Sequence, residues 1–252
     1  MEQTFAQGNS FLHKADPRAK VVSALLMVCT IAVLNRIPAA ATAFFITCIF
    51  LYIAKLPLMQ IVKRLFVVNA FVAFLWLFLP FSVPGRTLFS IWRWHASVDG
   101  INMAVLITLR CNAILIIMIT FIETTPVPIL ALALSDLKVP DKLVFIMLIS
   151  YRYINVIFQE YNRLVEAARI RGFVPKNNIH TYKTYAYMVA MVLIRSYERG
   201  IRVHQAMILR GFDGKFYSLH RFHLKKRDIL LAISAVLFVA SILYIDYLPV
   251  VI

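Results

Sequence analysis

The chain has 252 residues, 61% of them hydrophobic, and it carries 27 basic against 12 acidic residues. Ordinary soluble domains are about 45–50% apolar, so this composition excludes a typical soluble domain and indicates a bilayer as the second solvent. A net charge of +15 is also found in nucleic-acid-binding proteins, but together with the hydropathy it favours the cytoplasmic side of a membrane.

Five apolar stretches predict transmembrane helices, at 19–34, 37–54, 65–83, 101–122 and 229–245. A span needs roughly 17–25 residues, so the first is marginal without its flanks. Asp16 and Pro17 precede it and are residue types preferred at a helix N-cap and at the first helical position. Pro80 and Pro84 are expected to kink or end the third helix. The aromatic-rich connection 84–100 suits the membrane interface.

Between residues 123 and 228 the composition changes to short apolar runs with frequent charge. The segment 126–140 predicts a short helix between prolines, and two long helices are predicted at about 141–171 and 179–210. Both carry charges at mid-length, so we expect amphipathic helices packed on each other or on a partner. The sequence thus predicts an all-α integral membrane protein in three parts: a transmembrane bundle (1–122), a region of two long helices (123–228) and a C-terminal transmembrane helix (229–252).

The distribution of Lys and Arg predicts the orientation of these parts. Region 123–228 holds seventeen of the 27 basic residues, and residues 1–20 and 55–64 hold three each. The opposite side holds only Arg36, Arg86 and Arg93, with Arg110 inside a span. We therefore expect the N-terminus and the long helices in the cytoplasm and the C-terminus outside.

Two segments, 161–173 and 200–212, share the pattern R-x-x-x-A-x-x-x-R-G-F. The matching pairs are Arg163/Arg202, Ala167/Ala206, Arg171/Arg210, Gly172/Gly211 and Phe173/Phe212. Spacings of four place the two arginines and the alanine of each copy on one helix face. Glycine after the second arginine suits the left-handed position that ends a helix. The phenylalanine is expected to pack back on the last turn.

Two interpretations of this repeat compete. An arginine at a helix C-terminus stabilises the helix dipole by about 0.3–1 kcal/mol, and the repeat would then only end two helices. Alternatively, two helix ends present matched arginines to acidic grooves on a partner, because the planar guanidinium binds carboxylates in a bidentate manner. Two similar ends imply two similar partner surfaces. Two copies with five matches make the first interpretation, helix ends alone, the less favoured one.

Other candidate sites are weaker. Arg110 lies within a span, so it should face protein near Asn102, Asn112 or Asn69; we expect a structural role, with a part in the substrate route as the alternative. Asp213 is expected to orient Arg210 or to bond within its own turn. His220 and His223 lie in a basic segment that suits a lipid anchor better than a metal site. The three cysteines form no metal or disulfide pattern.

Three stretches resemble a known family: "LHKADPRAKVV" (12–22), "EAARIRGF" (166–173) and "RSYERGIRVHQAMILRGFDGKF" (195–216). In this order they are similar to the transmembrane T component of energy-coupling factor (ECF) transporters, most closely to its cobalt-transport member CbiQ. The family signature is Ala-Arg-Gly, present twice. Here the triplets are Ile170-Arg171-Gly172 and Leu209-Arg210-Gly211, so the small residue is replaced.

The resemblance implies a scaffold in the cell membrane of a bacterium or archaeon. It would join a CbiM-like substrate-binding S component to two ABC-type ATPases, with Arg171 and Arg210 each docking in a groove of one ATPase. The helix faces carrying Arg163, Ala167 and Phe173 in the first copy would support this contact, as would the matching residues Arg202, Ala206 and Phe212 in the second. A coupling role of the Asp16 stretch would stay open. No catalytic residue, cofactor or metal is expected in this chain.

Rival functions are a T component for nickel or one shared among vitamin importers, an intramembrane enzyme, and a membrane protein that binds nucleic acid. An enzyme would need acid or base groups in its spans, but these contain no Asp, Glu or His before Asp246. The sequence also lacks the G-x-x-x-x-G-K-[ST] phosphate loop, so ATP would be hydrolysed by partners. Against nucleic acid, the arginines are interleaved with Glu166 and Glu198 at defined helix positions.

Overall fold

The computed structural model of the protein describes residues 10, 12–13, 15–84, 87–91, 94–214 and 226–247. In chain order the elements are α1 (Pro17–Val33), α2 (Ile37–Ala54), α3 (Leu58–Ser82), β1 (Thr87–Ile91), β2 (Trp94–Ser97), α4 (Val98–Ile117), α5 (Val127–Asp136), α6 (Asp141–Ile170), α7 (Ile179–Leu209) and α8 (Lys226–Tyr247). A π turn at Met118–Ile122 continues α4. All predicted helices are confirmed, with boundaries within three residues except α3, which begins seven residues earlier than predicted.

The chain divides into two compact units. The long-helix unit comprises residues 131–220, and the bundle unit comprises residues 2–130 and 221–252. These limits differ from the predicted parts, because the bundle unit includes the whole of α8 and its N-terminal turn. The predicted division into transmembrane and cytoplasmic parts remains a prediction.

The bundle unit is built around α1, α2, α4 and α8. Met27 and Ile31 of α1 are completely buried, and α2 contributes Ala39 and Ala43. Small residues such as these let helices approach closely in a membrane. The ring of Phe50 makes edge-to-face contacts with two aromatic rings of the same core, those of Phe121 and Phe238.

Local sequence explains where the first helix begins. The Asp16 carboxylate accepts a hydrogen bond from the backbone N–H of Arg18 at 2.9 Å, and Pro17 occupies the first helical position. Asp16 therefore caps α1, as predicted from its residue type.

The start of α4 passes very close to the end of α3. A Cβ atom on Gly100 would lie 2.7 Å from the carbonyl oxygen of Leu79 and 2.8 Å from Cα of Pro80. Pro80 lies inside α3, and the helix ends two residues later at Ser82. The connection between α3 and α4 pairs β1 with β2 in an antiparallel hairpin, which the sequence did not predict. The side chains of 85–96 lie outside the described part, so their interfacial role remains a prediction.

Five helices in the described part are long and apolar enough to cross a membrane: α2, α3, α4 with its π turn, α6 and α8. The chain is therefore an all-α integral membrane protein. α1 was predicted as a span, but it has 17 residues and a length of about 25 Å, and is shorter than these five. α6 qualifies because its first half is apolar, whereas its second half carries the charges that make it amphipathic.

Candidate functional site

The two R-G-F segments end their helices in the same way. Gly172 and Gly211 both have φ of +81°, the left-handed conformation that glycine adopts without a Cβ penalty. The N–H of Phe173 donates to the carbonyl of Ala168, and the N–H of Gly172 donates to that of Arg169, both at 3.0 Å. This pair of bonds is the Schellman motif, and it satisfies carbonyls that the helix end would leave unpaired.

The second copy repeats this geometry at the end of α7. The N–H of Phe212 donates to the carbonyl of Met207 at 3.0 Å, and the N–H of Gly211 donates to that of Ile208 at 2.9 Å. The predicted role of the glycines is therefore confirmed in both copies. It follows that Arg171 and Arg210 occupy the same C-cap position, directly before a rigid reversal of the chain.

The two phenylalanines of the repeat contact aromatic rings of the opposite long helix. Phe173 meets the ring of Tyr185, near the start of α7, edge to face at 5.7 Å. Phe212 stacks on Phe145, near the start of α6, at 5.3 Å. Each phenylalanine therefore contacts the other long helix. Its packing on its own last turn remains a prediction.

These contacts define the arrangement of the two ends within the long-helix unit. α6 and α7 form an antiparallel pair in which each R-G-F segment contacts the start of the partner helix. The pair is thus approximately two-fold symmetric. At 1.5 Å per residue along α6, the two arginines lie on the order of 40 Å apart, at opposite ends of the pair.

The turn between the helices is also well defined. The side chain of Asn178 caps α7 by accepting from the N–H of Thr181 at 2.9 Å and from its hydroxyl at 2.7 Å. The Thr181 hydroxyl in turn accepts from the N–H of Lys176 at 3.0 Å. The first R-G-F segment is therefore followed by a connection with its own hydrogen bonds.

The predicted docking side chains are exposed. Ala167, Arg171 and Gly172 are solvent-accessible, and so are Ala206, Arg210 and Gly211. Within the described residues, the guanidinium groups of Arg171 and Arg210 make no hydrogen bond or ion pair. Two cations at the ends of rigid helices are therefore available to an anionic partner. Asp213 is exposed as well, and its predicted role remains a prediction.

The first arginine of each motif has an intramolecular partner. Arg163 lies 3.7 Å from a carboxylate oxygen of Glu160, and Arg202 lies 3.8 Å from one of Glu198. The first pair shares the largely buried carboxylate of Glu160, whereas the Arg202–Glu198 pair is at the surface and contributes little to stability. The two supporting faces are therefore not equivalent.

Glu160 is the centre of a charge cluster at the crossing of the two long helices. Its side chain is 11% exposed; it accepts a hydrogen bond from Arg195 of α7, and Arg199 approaches to 4.0 Å. The hydrogen bond from Arg195 joins α7 to this carboxylate, and the ion pairs with Arg163 and Arg199 add to it. The crossing thus depends on one carboxylate in the charged half of α6.

A cleft of about 740 Å³ lies between the Glu160 cluster and the first R-G-F segment. Its lining includes Glu160, Arg163, Ala167, Arg171 and Arg195. A smaller cleft of about 320 Å³, lined mainly by apolar side chains such as Phe145, Tyr153 and Met207, lies on the other side of the crossing. The basic residues of the first motif therefore border a recess rather than a flat surface.

Arg110 lies in the bundle unit with a partner other than those predicted. Its guanidinium donates to the side-chain oxygen of Asn35 at 3.4 Å. Asn69 and Asn112 instead bond to each other, donating reciprocally at 3.0 and 2.9 Å, which leaves little capacity for Arg110. The expected proximity of Arg110 to Asn102, Asn112 or Asn69 remains a prediction, and so does its structural role.

In the described part of the chain, no three His, Cys, Asp or Glu side chains converge as ligands would around a metal ion. His220 and His223 lie outside the described residues. The charges at mid-length of both long helices were noted in the sequence, but the contact of Glu160 with three arginines was not predicted. The available signal was a carboxylate three residues before Arg163 in a helix whose neighbour carries Arg195 and Arg199.

Comparison with known proteins places these features in a family context. Residues 8–224 match the family model of CbiQ, described as a cobalt transport protein. The chain is 25% identical to the energy-coupling factor transporter transmembrane protein EcfT of Ruminiclostridium cellulolyticum, over 96% of each chain. It is 24% identical to EcfT of Brevibacillus brevis, over 94% of this chain and 95% of that protein. For EcfT of Bacillus subtilis the identity is 25%, over 83% of each.

Proposed function

The chain belongs to the CbiQ family of transmembrane T components of ECF transporters, and on this premise we propose that it transmits the motion of two ATPase subunits to a substrate-binding membrane subunit during cobalt import. It is a membrane subunit of an ABC-type importer. ATP hydrolysis belongs to the two ATPases, which are a homodimer or a pair of homologues. The S component is CbiM-like and captures the substrate.

One observation carries the proposal: two identical helix ends lie at opposite ends of an approximately symmetric helix pair. ABC-type ATPases work in pairs, and a pair of similar subunits presents two similar surfaces related by a two-fold axis. A symmetric pair of docking elements, on the order of 40 Å apart, fits such a dimer with one end for each subunit.

The chemistry of each end suits an acidic groove. Arg171 and Arg210 are exposed and lie at the C-caps, where the helix dipole adds partial negative charge. The dipole attracts the cationic side chain but does not neutralise it, so a carboxylate on the partner supplies the bidentate acceptor that the guanidinium lacks. Ala167 and Ala206, one turn earlier, leave room for the partner backbone.

The long helices transmit the motion in this proposal. Because the Glu160 cluster joins α6 to α7 at their crossing, a displacement of one docking end moves the other helix as well. The two long helices lie on the cytoplasmic side, as the excess of Lys and Arg in this region favours. Closure of the ATPases on ATP would then reach the membrane helices and open the S component inward.

Cobalt is the proposed substrate, supported by the description of the family model that the chain matches. A T component for nickel or for several vitamin-binding subunits is the second candidate, because relatives named EcfT align along most of the chain. Radiolabelled Co²⁺ uptake with Ni²⁺ as competitor separates the metals, and the S component that co-purifies identifies a vitamin importer.

The docking proposal is tested by co-purification in mild detergent. The tagged chain is expressed with its ATPase and S subunits as the wild type, Arg171→Ala, Arg210→Ala and the double variant. We expect each single variant to retain part of the ATPase and the double variant to lose it while remaining in the membrane with normal yield. Arg169→Ala is the matched control, because it removes an exposed cation from the same last turn without changing the motif. Equal ATPase recovery from the double variant and this control would refute docking by the arginines.

A further inference from the structure

A lysine is completely buried in the bundle unit. Lys20 of α1 is 1% exposed, and its ammonium group donates to the hydroxyls of Thr124 at 3.3 Å and Thr125 at 3.0 Å. Lys20 is one of the three basic residues of segment 1–20 that predict a cytoplasmic N-terminus. Burying an ammonium group is costly unless it has polar partners, so these contacts are required for the lysine to be tolerated here.

An aspartate from the other end of the chain completes the cluster. Asp228 of α8 is 3% exposed, interacts electrostatically with Lys20, and accepts a hydrogen bond from the backbone N–H of Asp16 at 2.7 Å. Asp16 is the residue that caps α1. The start of α8 is therefore bonded to the start of α1, and the cluster balances one buried cation with a nearby buried anion.

The residues of this cluster lie close in the chain to the places where it leaves and re-enters the bundle unit. The chain leaves the bundle unit after Leu130, and the next described element of that unit is α8. Thr124 and Thr125 lie shortly before the chain leaves the unit, and Asp228 lies in the first turn of α8. Lys20 thus interacts with the segment before the long-helix unit and with the start of the helix that follows it.

The first connection is also bonded on a second side. Glu123, adjacent to Thr124, forms an ion pair with Arg64 of α3. Three consecutive residues are thereby joined to two helices of the bundle, directly after the π turn that ends α4. π turns interrupt regular helical bonding and are frequent at functional sites. The segment 123–125 is therefore held by side-chain contacts with α1 and α3, directly after the irregular end of α4.

We propose that Lys20 is a positioning residue that holds the segment 123–125 and the first turn of α8 at α1, so that a movement of the long helices displaces the membrane helices instead of only bending the chain that joins them. The inference rests on the proposed function, because it concerns how the same motion reaches the membrane. Stability alone is a weak explanation of the cluster, since well-packed apolar residues commonly replace a buried ion pair without loss of stability.

The test uses the full transporter reconstituted in proteoliposomes, with Lys20→Met, Asp228→Asn and the double variant. Single variants leave one buried charge without its partner and should melt at lower temperature. The double variant restores the charge balance, and the amide that replaces the carboxylate still accepts from Asp16. We expect it to melt like the wild type and to retain its ATPases, but to take up at least about tenfold less radiolabelled Co²⁺ per ATP hydrolysed. Lys63→Met, at an exposed cation of α3, is the control and should leave this ratio unchanged.

A second measurement does not depend on the substrate. Spin labels on exposed positions of α2 and α7, at Tyr52 and Tyr197, report a distance with and without ATP after Cys29, Cys48 and Cys111 are replaced by serine. We expect a narrow distribution that shifts with ATP in the wild type. The double variant should give a broadened distribution without a defined shift, because Lys20 no longer holds the segment 123–125 and the start of α8.

The outcomes distinguish this inference from the docking proposal. A double variant with normal uptake per ATP and a normal ATP-dependent shift overturns the inference, and so does one that loses its ATPases, since the cluster would then act on docking. If the Arg171/Arg210 variant keeps its ATPases while the Lys20/Asp228 variant is uncoupled, docking fails and the inference stands.

Should the Lys20/Asp228 double variant not fold, Thr124→Val with Thr125→Val removes only the hydroxyl acceptors. The same uncoupling supports the inference, and wild-type coupling refutes it.

Discussion

The long-helix unit and the bundle unit use their residues in different ways. α6 and α7, of 30 and 31 residues, bury only five side chains between them, while α1 buries five with 17 residues. Moreover, one of the five in the long helices is the charged Glu160. The bundle unit has a continuous apolar core, whereas the long helices meet at one charged crossing and at aromatic contacts near their ends. A unit with so little of its own core depends on its surroundings for its geometry.

The difference in core between the two units is tested most directly by separating them. Replacing residues 131–220 by a short Gly-Ser linker should leave a monodisperse bundle unit, because the contacts that Thr124, Thr125 and Asp228 make with α1 lie outside the replaced segment. Its melting temperature should change by less than about 4 °C, which corresponds to roughly 1 kcal/mol for a chain of this size. Residues 131–220 expressed alone should not give a cooperative melting transition. Fluorescence-detected size exclusion after heating measures both, and a bundle unit that aggregates would contradict the comparison.

Removing the carboxylate at the crossing should have the next largest effect. Glu160→Ala leaves Arg163, Arg195 and Arg199 facing each other without a shared anion, so we expect clearly lower recovery of the ATPase and faster proteolysis of α6 and α7. Arg195→Ala should cost less, because two arginines still contact the carboxylate. Glu198→Ala is the control, since its exposed pair with Arg202 contributes only about 0–1 kcal/mol.

If Glu160→Ala and Glu198→Ala behave alike, the crossing does not depend on the buried carboxylate. The approximate symmetry of the two docking ends would then need another explanation.

The smallest expected effect concerns the backbone of the helix ends. Gly172→Ala and Gly211→Ala meet no atom within 4 Å, so their cost is conformational and amounts to about 1–2 kcal/mol at a positive φ. The affinity for a purified ATPase in nanodiscs should fall by roughly 5–30-fold if the ends must be preformed. Gly200→Ala, inside α7 and also in open space, should instead stabilise the helix by about 0.5–1 kcal/mol. Equal affinity of all three variants would show that the shape of the helix ends does not matter for binding.

Local sequence signals were sufficient for most of the fold. Apolar runs, prolines and the Asp16 cap predicted the helices, because each of these signals acts within a few residues. α3 was predicted to begin too late, since Lys63 and Arg64 were taken as the end of a connection. Arg64 lies inside the helix and forms an ion pair with Glu123. The β-hairpin was missed because aromatic residues suit an interface as well as a strand.

Long-range contacts account for what the sequence did not predict. The glycine ends were predictable, since R-G-F combines a helix end with a residue that favours positive φ. The partners of Phe173 and Phe212 were not, because they depend on how α6 and α7 pair. In the same way, the burial of Lys20 by Thr124, Thr125 and Asp228 joins residues more than a hundred positions apart. The spacing of apolar and charged residues within one helix does not indicate such contacts.

If Arg171 and Arg210 dock the ATPases as proposed, the residues directly before them affect which ATPases can be exchanged between transporters. Ile170 is 87% exposed and Leu209 is 88% exposed, so neither side chain is needed to complete the fold of its helix end. Where the family signature places a methyl group, this chain displays a branched aliphatic side chain at each end. A groove that receives these ends must have an apolar recess beside its acidic residues. An ATPase with a groove shaped for alanine would therefore be a poor substitute. In a cell with several such importers, the size of this side chain could determine which ATPase binds to which transporter.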